Sequence, residues 1–169
     1  MKFKSGLIFF LALMLGSTGP AWAQPTLDNP DWAESEVPPP PAFDVNKLIP
    51  VDVSSNASLI YGIDPATIHI STSDGLVRYV MVASSATGAR NVMYEGIRCS
   101  TGEFKTYARY SPNGHWNPVA NPQWRSMFDN MPSKHALRLA QAGICDGRTP
   151  TPSVNAMIAR LKNPFSRLD

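Results

Sequence analysis

The chain contains few of the residues from which reaction centres are commonly built. Two cysteines and three histidines occur in 169 residues. His69, His115 and His135 show no metal-ligand spacing, and we interpret them as ordinary surface or interface residues. The sequence also lacks the signatures of α/β-hydrolases, zinc proteases, thiol-disulfide oxidoreductases, P-loop NTPases and dinucleotide-binding domains. From these motifs we therefore predict no metal site, no cofactor site and no catalytic residue.

Long hydrophobic runs are also absent. The longest unbroken apolar run, residues 7–15, is too short to span a bilayer. Two lysines precede this run, and a small-residue segment ending in A-W-A at Ala23 follows it. That order predicts a secretory signal peptide of residues 1–23, cleaved before Gln24. The residue directly after the cut is glutamine and not cysteine, so we expect no lipid anchor. We expect a periplasmic or secreted protein without a transmembrane segment.

Basic residues are scarce in the first part of the predicted mature chain. Residues 24–77 carry eight acidic residues and one basic residue, Lys47, whereas residues 78–169 carry twelve basic and five acidic residues. Either the acidic part lies along the basic part and neutralises it, or the basic part faces an anionic envelope component such as lipid headgroups, lipopolysaccharide or cell-wall polymer. Nucleic acid is not expected, because the basic residues form no consecutive run and the predicted compartment is wrong for it.

The two cysteines, Cys99 and Cys145, both lie in the predicted mature chain. In an oxidising compartment an even pair of cysteines predicts a disulfide. The bond would close a loop of about 46 residues and stabilise the fold by roughly 4 kcal/mol in the chain-entropy account. The alternative, a thiol nucleophile beside a histidine, fits poorly, because a free thiolate in such a compartment tends to oxidise.

Residues 24–47 form an acidic, proline-rich segment, which we call the leader. Four consecutive prolines at 38–41 favour an extended polyproline conformation, so the sequence predicts a stiff spacer before a single domain of residues 48–169. Trp32 and Phe43 are large apolar residues in this polar segment. They would either dock the leader onto the domain or serve as a recognition handle for a partner.

The first half of the domain has the composition of antiparallel strands. β-Branched and aromatic residues are concentrated in short runs separated by turn signals. Three long runs joined by short glycine-containing turns predict a β-meander, and two shorter runs before them bring the expected sheet to about four or five strands. The five runs cover residues 58–61, 67–70, 76–83, 91–99 and 103–110.

After residue 110 the apolar spacing becomes that of helices. A first helix is predicted to begin at Asn121 and end at Pro132, a second to be capped by Ser133, and a third to run from Thr151 to Pro164. Strands followed by helices predict an α+β fold, with the helices packed on one face of the antiparallel sheet. The apolar stripes are Trp124, Met127, Phe128 and Met131; Leu137, Ala140 and Ile144; and Val154, Met157, Ile158 and Leu161.

The predicted strand 91–99 carries the residues of greatest chemical interest. Glu95 and Arg98 would point to opposite faces of a regular strand, but a bulge at Gly96 would bring them together. Together they would suit an enzyme acting on an envelope polymer, with Glu95 as general acid or base and Arg98 as an electrostatic aid, although no second carboxylate or nucleophile is evident. In the other interpretation Arg98 pairs with Glu103 or Glu95 at the rim of the sheet.

Arginine and aromatic residues on the predicted strands form a candidate binding surface. This combination suits sugars, carboxylates and phosphates, although such residues are also common packing and snorkelling groups. A small-ligand pocket between the sheet and the helices is a further interpretation. The candidate surface consists of Arg78, Tyr79, Asn91, Tyr94, Glu95, Arg98, Tyr107, Arg109 and Trp116.

Several segments of the chain carry a resemblance to a known family. They are D-W at 31–32, D-G-x-V-R-Y at 74–79, G-A-x-N-V-x-Y-E-G-I-R-C at 88–99, T-G-E at 101–103, Y-A at 107–108, Trp116, Q-W at 123–124 and Cys145. With these segments the chain resembles the CNP-one-like family of proteobacterial proteins. The resemblance implies a location in the bacterial envelope, and it brings no reaction, ligand or partner with it. It also implies that Asn91, Tyr94, Glu95, Arg98 and Cys99 belong together, as a folding requirement or as a site.

These observations favour a non-catalytic binding or assembly module of the bacterial envelope. Its expected partner is another envelope protein or an anionic envelope component, engaged through the candidate surface or through Trp32. An enzyme that uses Glu95 and Arg98 on an envelope polymer, and a carrier of a small ligand, are the alternatives.

Overall fold

A computed structural model describes residues 31–54 and 57–163 of the chain. The predicted signal peptide of residues 1–23 and the predicted helix end at Pro164 lie outside these residues. Within them, every helix is too short or too polar to cross a bilayer.

An antiparallel sheet forms the centre of the fold. Its strands are β1 (Ile49–Val51), β2 (Leu59–Ile63), β3 (His69–Ile70), β4 (Val77–Ser85), β5 (Arg90–Arg98), β6 (Glu103–Tyr110), β7 (Trp116–Pro118) and β8 (Arg125–Ser126). Among the described residues the order is β1-β2-β4-β5-β6-β7, with β3 also paired to β4 and β8 also paired to β6. The sheet is larger than the four or five strands expected, because strands of two or three residues such as β7 and β8 leave no alternating pattern in a sequence.

The three long strands β4, β5 and β6 form the predicted meander, each antiparallel to the next. Gly88 and Gly102 lie in the two connecting turns with φ angles of 86° and 70°. Residues with a Cβ rarely adopt this backbone conformation, so glycine is what allows the short reversals. The prediction of a meander is confirmed.

Two of the three predicted helices are present in the described part of the chain. Helix α1 (His135–Leu139) continues into a π-helical segment, Ala140–Ile144, and α2 (Val154–Lys162) follows. Ser153 caps α2, since its Oγ accepts a hydrogen bond from the Ala156 amide at 3.1 Å. Together with the sheet, these helices give the expected α+β fold.

The predicted helix from Asn121 to Pro132 is wrong. This segment contains strand β8 and irregular backbone, and Asn121 has a positive φ of 49°. The helical spacing of its apolar residues is misleading, because they do not share one buried face: Met127 is buried, whereas Phe128 is 67 % exposed. Pairing of β8 with the start of β6 satisfies main-chain groups that a helix would leave unpaired at that edge.

The predicted disulfide between Cys99 and Cys145 is confirmed. The two Cα atoms lie 5.7 Å apart. Cys145 is the first residue of strand β9 (Cys145–Asp146), which pairs with β10 (Thr149–Pro150) in a separate hairpin after the π-helical segment. The bond therefore joins the end of β5 to the helical part of the chain.

The sheet is buried on both sides by different parts of the chain. On one side, which we call the helix face, Tyr79, Met81 and Ile97 belong to the same apolar core as Leu139 of α1 and Met157 of α2. The helices therefore cover one face, as predicted.

The opposite side, which we call the leader face, carries a smaller apolar core. Val80, Val82, Val92, Tyr94, Tyr107 and Ala108 are buried there. Phe43 of the leader packs against this core, with ring centroids 5.0 Å from Tyr110 and 5.7 Å from Trp116. The leader thus takes the place that a second layer of helices would occupy in other folds.

Glu34 holds the acidic part of the leader on the sheet. Its carboxylate accepts hydrogen bonds from Lys105 Nζ and from Tyr107 Oη, the latter at 2.7 Å, and lies 3.8 Å from Arg78 Nη2. Arg78 is only 1 % exposed and also donates to Asp74 Oδ2 at 2.9 Å. These ion pairs support the interpretation in which the acidic part of the chain neutralises the basic part.

Trp32 adds an aromatic contact at the start of the described leader. Its Nε1 donates to the main-chain oxygen of Asp74 at 2.8 Å. The Arg98 guanidinium lies 3.8 Å from the centroid of the Trp32 ring, and the Trp124 ring meets Trp32 edge-on at 6.0 Å. Trp32 therefore docks the leader onto the domain, one of the two roles expected for it.

Asp74 is the acceptor at which the leader and the sheet meet. Burial alone would raise the pKa of this carboxyl group. Hydrogen bonds from Ser35, Ser71, the Leu76 amide and Arg78 outweigh burial and hold the pKa of Asp74 well below its ordinary value. Asp74 is therefore ionised in the folded protein even in mild acid.

The low pKa of Asp74 predicts a loss of stability in acid. Since its pKa is lower in the folded than in the unfolded chain, the stabilisation is present above about pH 4 and is lost as the pH falls below that value. We expect Asp74→Asn to lower the free energy of unfolding by about 1–3 kcal/mol at pH 7, and this difference to shrink at pH 3. Urea unfolding at pH 7, 5 and 3 measures both effects. The exposed Asp52 provides the control substitution Asp52→Asn, and a difference between the wild type and the Asp74→Asn variant that stays constant with pH would contradict the prediction.

Candidate functional site

A carboxylate is buried in the middle of the helix face. Glu95 lies on β5 between Met93 and Ile97, and alternation along the strand turns it towards the helices with a side chain that is 0 % exposed. A carboxylate in such a position is costly unless its oxygens accept hydrogen bonds. The described residues supply three side-chain donors to it.

The donors to Glu95 come from two neighbouring strands and from α1. Tyr79 Oη donates to Oε2 at 3.2 Å, Thr106 Oγ1 donates to Oε1 at 3.0 Å, and His135 Nε2 lies 3.0 Å from Oε2. Burial, and then the neighbouring Glu95 carboxylate, raise the pKa of Tyr79, so its hydroxyl keeps its proton and donates it. We call Glu95, Tyr79, Thr106 and His135 the Glu95 cluster.

A bulge in β6 puts Thr106 beside Glu95. Tyr94 pairs with Ala108 while Glu95 pairs with Thr106, so Tyr107 is an extra residue in β6. Tyr107 turns to the leader face, where its ring lies against Gly96; a Cβ at residue 96 would sit 2.6 Å from Tyr107 Oη. The bulge therefore lies in β6, and the prediction of a bulge at Gly96 is wrong.

Glu95 and Arg98 do not come together. Since β5 is regular between them, Arg98 points to the leader face, where it stacks on Trp32 and lies 3.8 Å from Glu103. Of the expected alternatives for Arg98, pairing with Glu103 at the rim is therefore the one found. The proposed catalytic pairing of Glu95 with Arg98 is wrong, because the two side chains lie on opposite faces of the sheet.

Aromatic and polar neighbours hold the His135 ring in place. It stacks on Tyr61, with centroids 5.4 Å apart and an angle of 1° between the rings, and Phe104 meets it edge-on at 5.6 Å. Ser133 Oγ lies 3.0 Å from His135 Nδ1 and accepts the His135 amide proton at 3.2 Å. The Ser133 hydroxyl can donate to Nδ1 in the tautomer that carries the ring proton on Nε2, facing Glu95.

A cavity of about 360 Å³ opens beside the Glu95 cluster. It lies between strands β5 and β6 and the segment 119–135 that leads into α1. Glu95 and His135 form its buried end, and Met93, Phe104, Val119 and Met131 are among its apolar walls. We call it the Glu95 cavity.

Two arginines stand at the opening of the Glu95 cavity. Arg109, on β6, and Arg125, on β8, line the cavity and are exposed. Arg109 Nη1 donates to Asn91 Oδ1 at 3.2 Å. In residues 31–54 and 57–163, neither guanidinium has a carboxylate within ion-pair distance. The cavity is therefore positive at its opening and holds at its base a carboxylate that accepts from three side chains.

The nine residues of the candidate surface are divided between the two faces of the sheet. Tyr79, Asn91, Glu95 and Arg109 are on the helix face, where Glu95 and Arg109 line the cavity, whereas the other five are on the leader face. Strand alternation separates them, so they do not form one wall. The five on the leader face are Arg78, Tyr94, Arg98, Tyr107 and Trp116.

Sequence reasoning missed His135, Thr106 and Arg125 as parts of one site. A usable signal was present in Glu95, since an acid on the inward face of a long buried strand requires donors. His135, at the start of a helix expected to pack on that face, was the available partner. Arg125 gave no such signal, because its position depends on β8, which the helical spacing of the segment concealed.

A larger groove of about 1010 Å³ lies along β1 and β2 beside the helices, lined by residues such as Val51, Ile60 and Leu161. It contains no buried ionisable cluster comparable to Glu95 and His135 in the described residues. No group of three or more His, Cys, Asp or Glu side chains in the described ranges is arranged to hold a metal ion. The Glu95 cavity is therefore the candidate site.

Comparison with known proteins identifies a family. The model of the CNP1-like (CNP-one-like) family matches residues 27–162, which include most of the leader, the sheet and α2. Neither a curated protein nor a solved structure matches the chain significantly.

The hydrogen bond from Tyr79 to Glu95 is expected to stabilise the fold. Tyr79→Phe removes one donor from a buried carboxylate, and we expect the free energy of unfolding to fall by about 1–3 kcal/mol. Tyr61→Phe is the matched control, because the Tyr61 ring stacks on His135 without a hydroxyl hydrogen bond to another described residue. Chemical unfolding of both variants measures the difference. Equal losses in the two variants would mean that the Tyr79 hydroxyl is not a significant donor.

Proposed function

The chain belongs to the CNP1-like family, and we propose that it is a non-catalytic binding module of the bacterial envelope that holds a small ligand in the Glu95 cavity. The observation that carries this proposal is the cavity itself. Its volume of about 360 Å³ is within the range of small-molecule sites, about 300–1,000 Å³. Mostly apolar walls with a few placed polar groups are also typical of such sites.

The state of Glu95 supports binding rather than catalysis. A general base needs a lone pair within reach of a substrate proton, whereas three of the roughly four lone-pair sites of the Glu95 carboxylate already accept from Tyr79, Thr106 and His135. His135 is engaged at both ring nitrogens, by Ser133 and by Glu95. These groups support a rigid cavity base whose shape is set before a ligand arrives.

The envelope location rests on the sequence and on the disulfide. The order of basic, apolar and small residues in positions 1–23 is that of an export signal. The Cys99–Cys145 disulfide is typical of an oxidising compartment such as the periplasm or the extracellular space. We propose that the mature protein begins at Gln24 and works there.

Assembly with an envelope protein, or binding to an anionic envelope component, is the second candidate function. The exposed arginines of the cavity opening favour an anionic partner. Docking through Tyr94, Trp116 or Trp32 would require displacement of the leader, because these side chains pack within it or beneath it. We therefore prefer small-ligand binding over docking to an envelope partner as the proposed function.

Ligand binding can be tested with protein exported by a Gram-negative host and isolated from its periplasm. Native mass spectrometry should detect the wild-type chain with a bound small molecule. Val119→Phe adds volume at the wall of the cavity and should remove the adduct. Ile60→Phe adds the same ring at a position that is 72 % exposed on β2 and should keep it. Wild-type protein without an adduct, or an adduct that survives Val119→Phe, would contradict binding in this cavity.

Export and oxidation can be tested on the same material. The intact mass should correspond to a chain that begins at Gln24, and alkylation under denaturing, non-reducing conditions should add no group, because Cys99 and Cys145 are joined. After reduction, two groups should be added. A full-length mass, or two alkylated cysteines before reduction, would argue against the proposed location.

A further inference from the structure

We propose that the ligand of the Glu95 cavity is a small organic oxyanion, a carboxylate or phosphate on an apolar body, bound by Arg109 and Arg125. This inference rests on the proposed function, and it assigns the chemical class of the ligand and the two residues that select it. It follows from the charges around the cavity, from the way the two arginines are held, and from the character of the walls.

Four ionisable side chains line the Glu95 cavity: Glu95, His135, Arg109 and Arg125. The first two bond to each other at the buried end, and Glu95 receives two further donors from Tyr79 and Thr106. The Glu95 carboxylate is thus hydrogen-bonded inside the protein. The two positive charges at the opening have no carboxylate partner among the described residues, so an entering group meets cations first.

Cations on the leader face differ from these two arginines, because they are paired with carboxylates. On the leader face, Arg78 is paired with Asp74 and approached by Glu34, and Lys105 is also paired with Glu34. A carboxylate from the leader therefore occupies that basic surface. At the Glu95 cavity no described carboxylate plays this part, and a ligand oxyanion is the group that would complete the pattern.

The arginines are held by paired strands rather than by free loops. Arg109 is opposite Met93 of β5, and Arg125 is opposite Phe104 of β6. Arg109 uses one of its N–H groups on Asn91, and a guanidinium carries five donors. The remaining N–H groups form the planar fork that matches two oxygens of a carboxylate or phosphate.

The walls set the second requirement on the ligand. Met93, Phe104, Val119 and Met131 offer apolar surface in the cavity that the arginines and the Glu95 cluster also line. A bare inorganic anion would leave this surface exposed to water, whereas an organic anion would bury an apolar part against it. The arrangement therefore selects an oxyanion with a hydrocarbon or aromatic body.

Three probes of nearly equal shape distinguish the effect of ligand charge on affinity from that of ligand size. They are anionic benzoate, neutral benzamide and cationic benzamidine. Their dissociation constants for the mature, disulfide-bonded chain can be measured by NMR titration. We expect benzoate to bind at least ten-fold more tightly than benzamide, and benzamidine to bind most weakly. The double substitution Arg109→Gln and Arg125→Gln should weaken benzoate binding to the level of benzamide and leave benzamide binding unchanged. Arg90→Gln, at an exposed position outside the cavity, is the control and should change neither.

The outcomes distinguish the ligand class from the proposed function. Equal binding of the three probes, all abolished by Val119→Phe, would overturn the oxyanion inference and leave the cavity as a binding site. A preference for benzamidine would overturn it as well and would point to Glu95 as the selecting charge. Absence of binding by every probe would also overturn it, while the adduct seen by native mass spectrometry would decide the proposed function separately.

Discussion

The hydrogen-bonded burial of Glu95 is the interaction on which the helix face depends. Its carboxylate joins Tyr79 of β4, Thr106 of β6 and His135 of α1, three elements that are distant in the sequence. Each of these hydrogen bonds offsets part of the desolvation cost of the buried carboxylate, because a carboxylate without donors would not be tolerated in an apolar core. The position of α1, the bulge in β6 and the base of the cavity are therefore parts of one arrangement.

On the other face of the sheet, the leader helps to pair a buried charge. There the buried charge is the cation Arg78, and its partners are Asp74 and Glu34. The two faces thus carry opposite buried charges, each satisfied by residues from a different part of the chain. This explains how a central sheet can be buried on both sides in a protein with only two short α-helices among its described residues.

Local signals in the sequence were sufficient for much of this fold. The meander followed from β-branched runs and glycine turns, α2 from its apolar stripe, and the disulfide from the number of cysteines. Features that depend on contacts between residues distant in the sequence could not be predicted. The extra residue at Tyr107 and the contact between Glu95 and His135, which are 40 residues apart, depend on tertiary packing, and the helical spacing of 121–131 indicated the wrong element. The candidate site was therefore only half predictable: Glu95 and Arg109 were identified, but Arg125 and His135 were not.

The docked leader has a consequence for how the chain is handled. A fragment that begins at residue 48 would lack Glu34 and Phe43, and would leave Arg78 and the aromatic side chains around Trp116 without cover. A wide apolar and basic patch of this kind invites self-association. The proline-rich segment is thus better regarded as a layer that covers the sheet and keeps it soluble than as a tether. Removing it would produce a domain that self-associates.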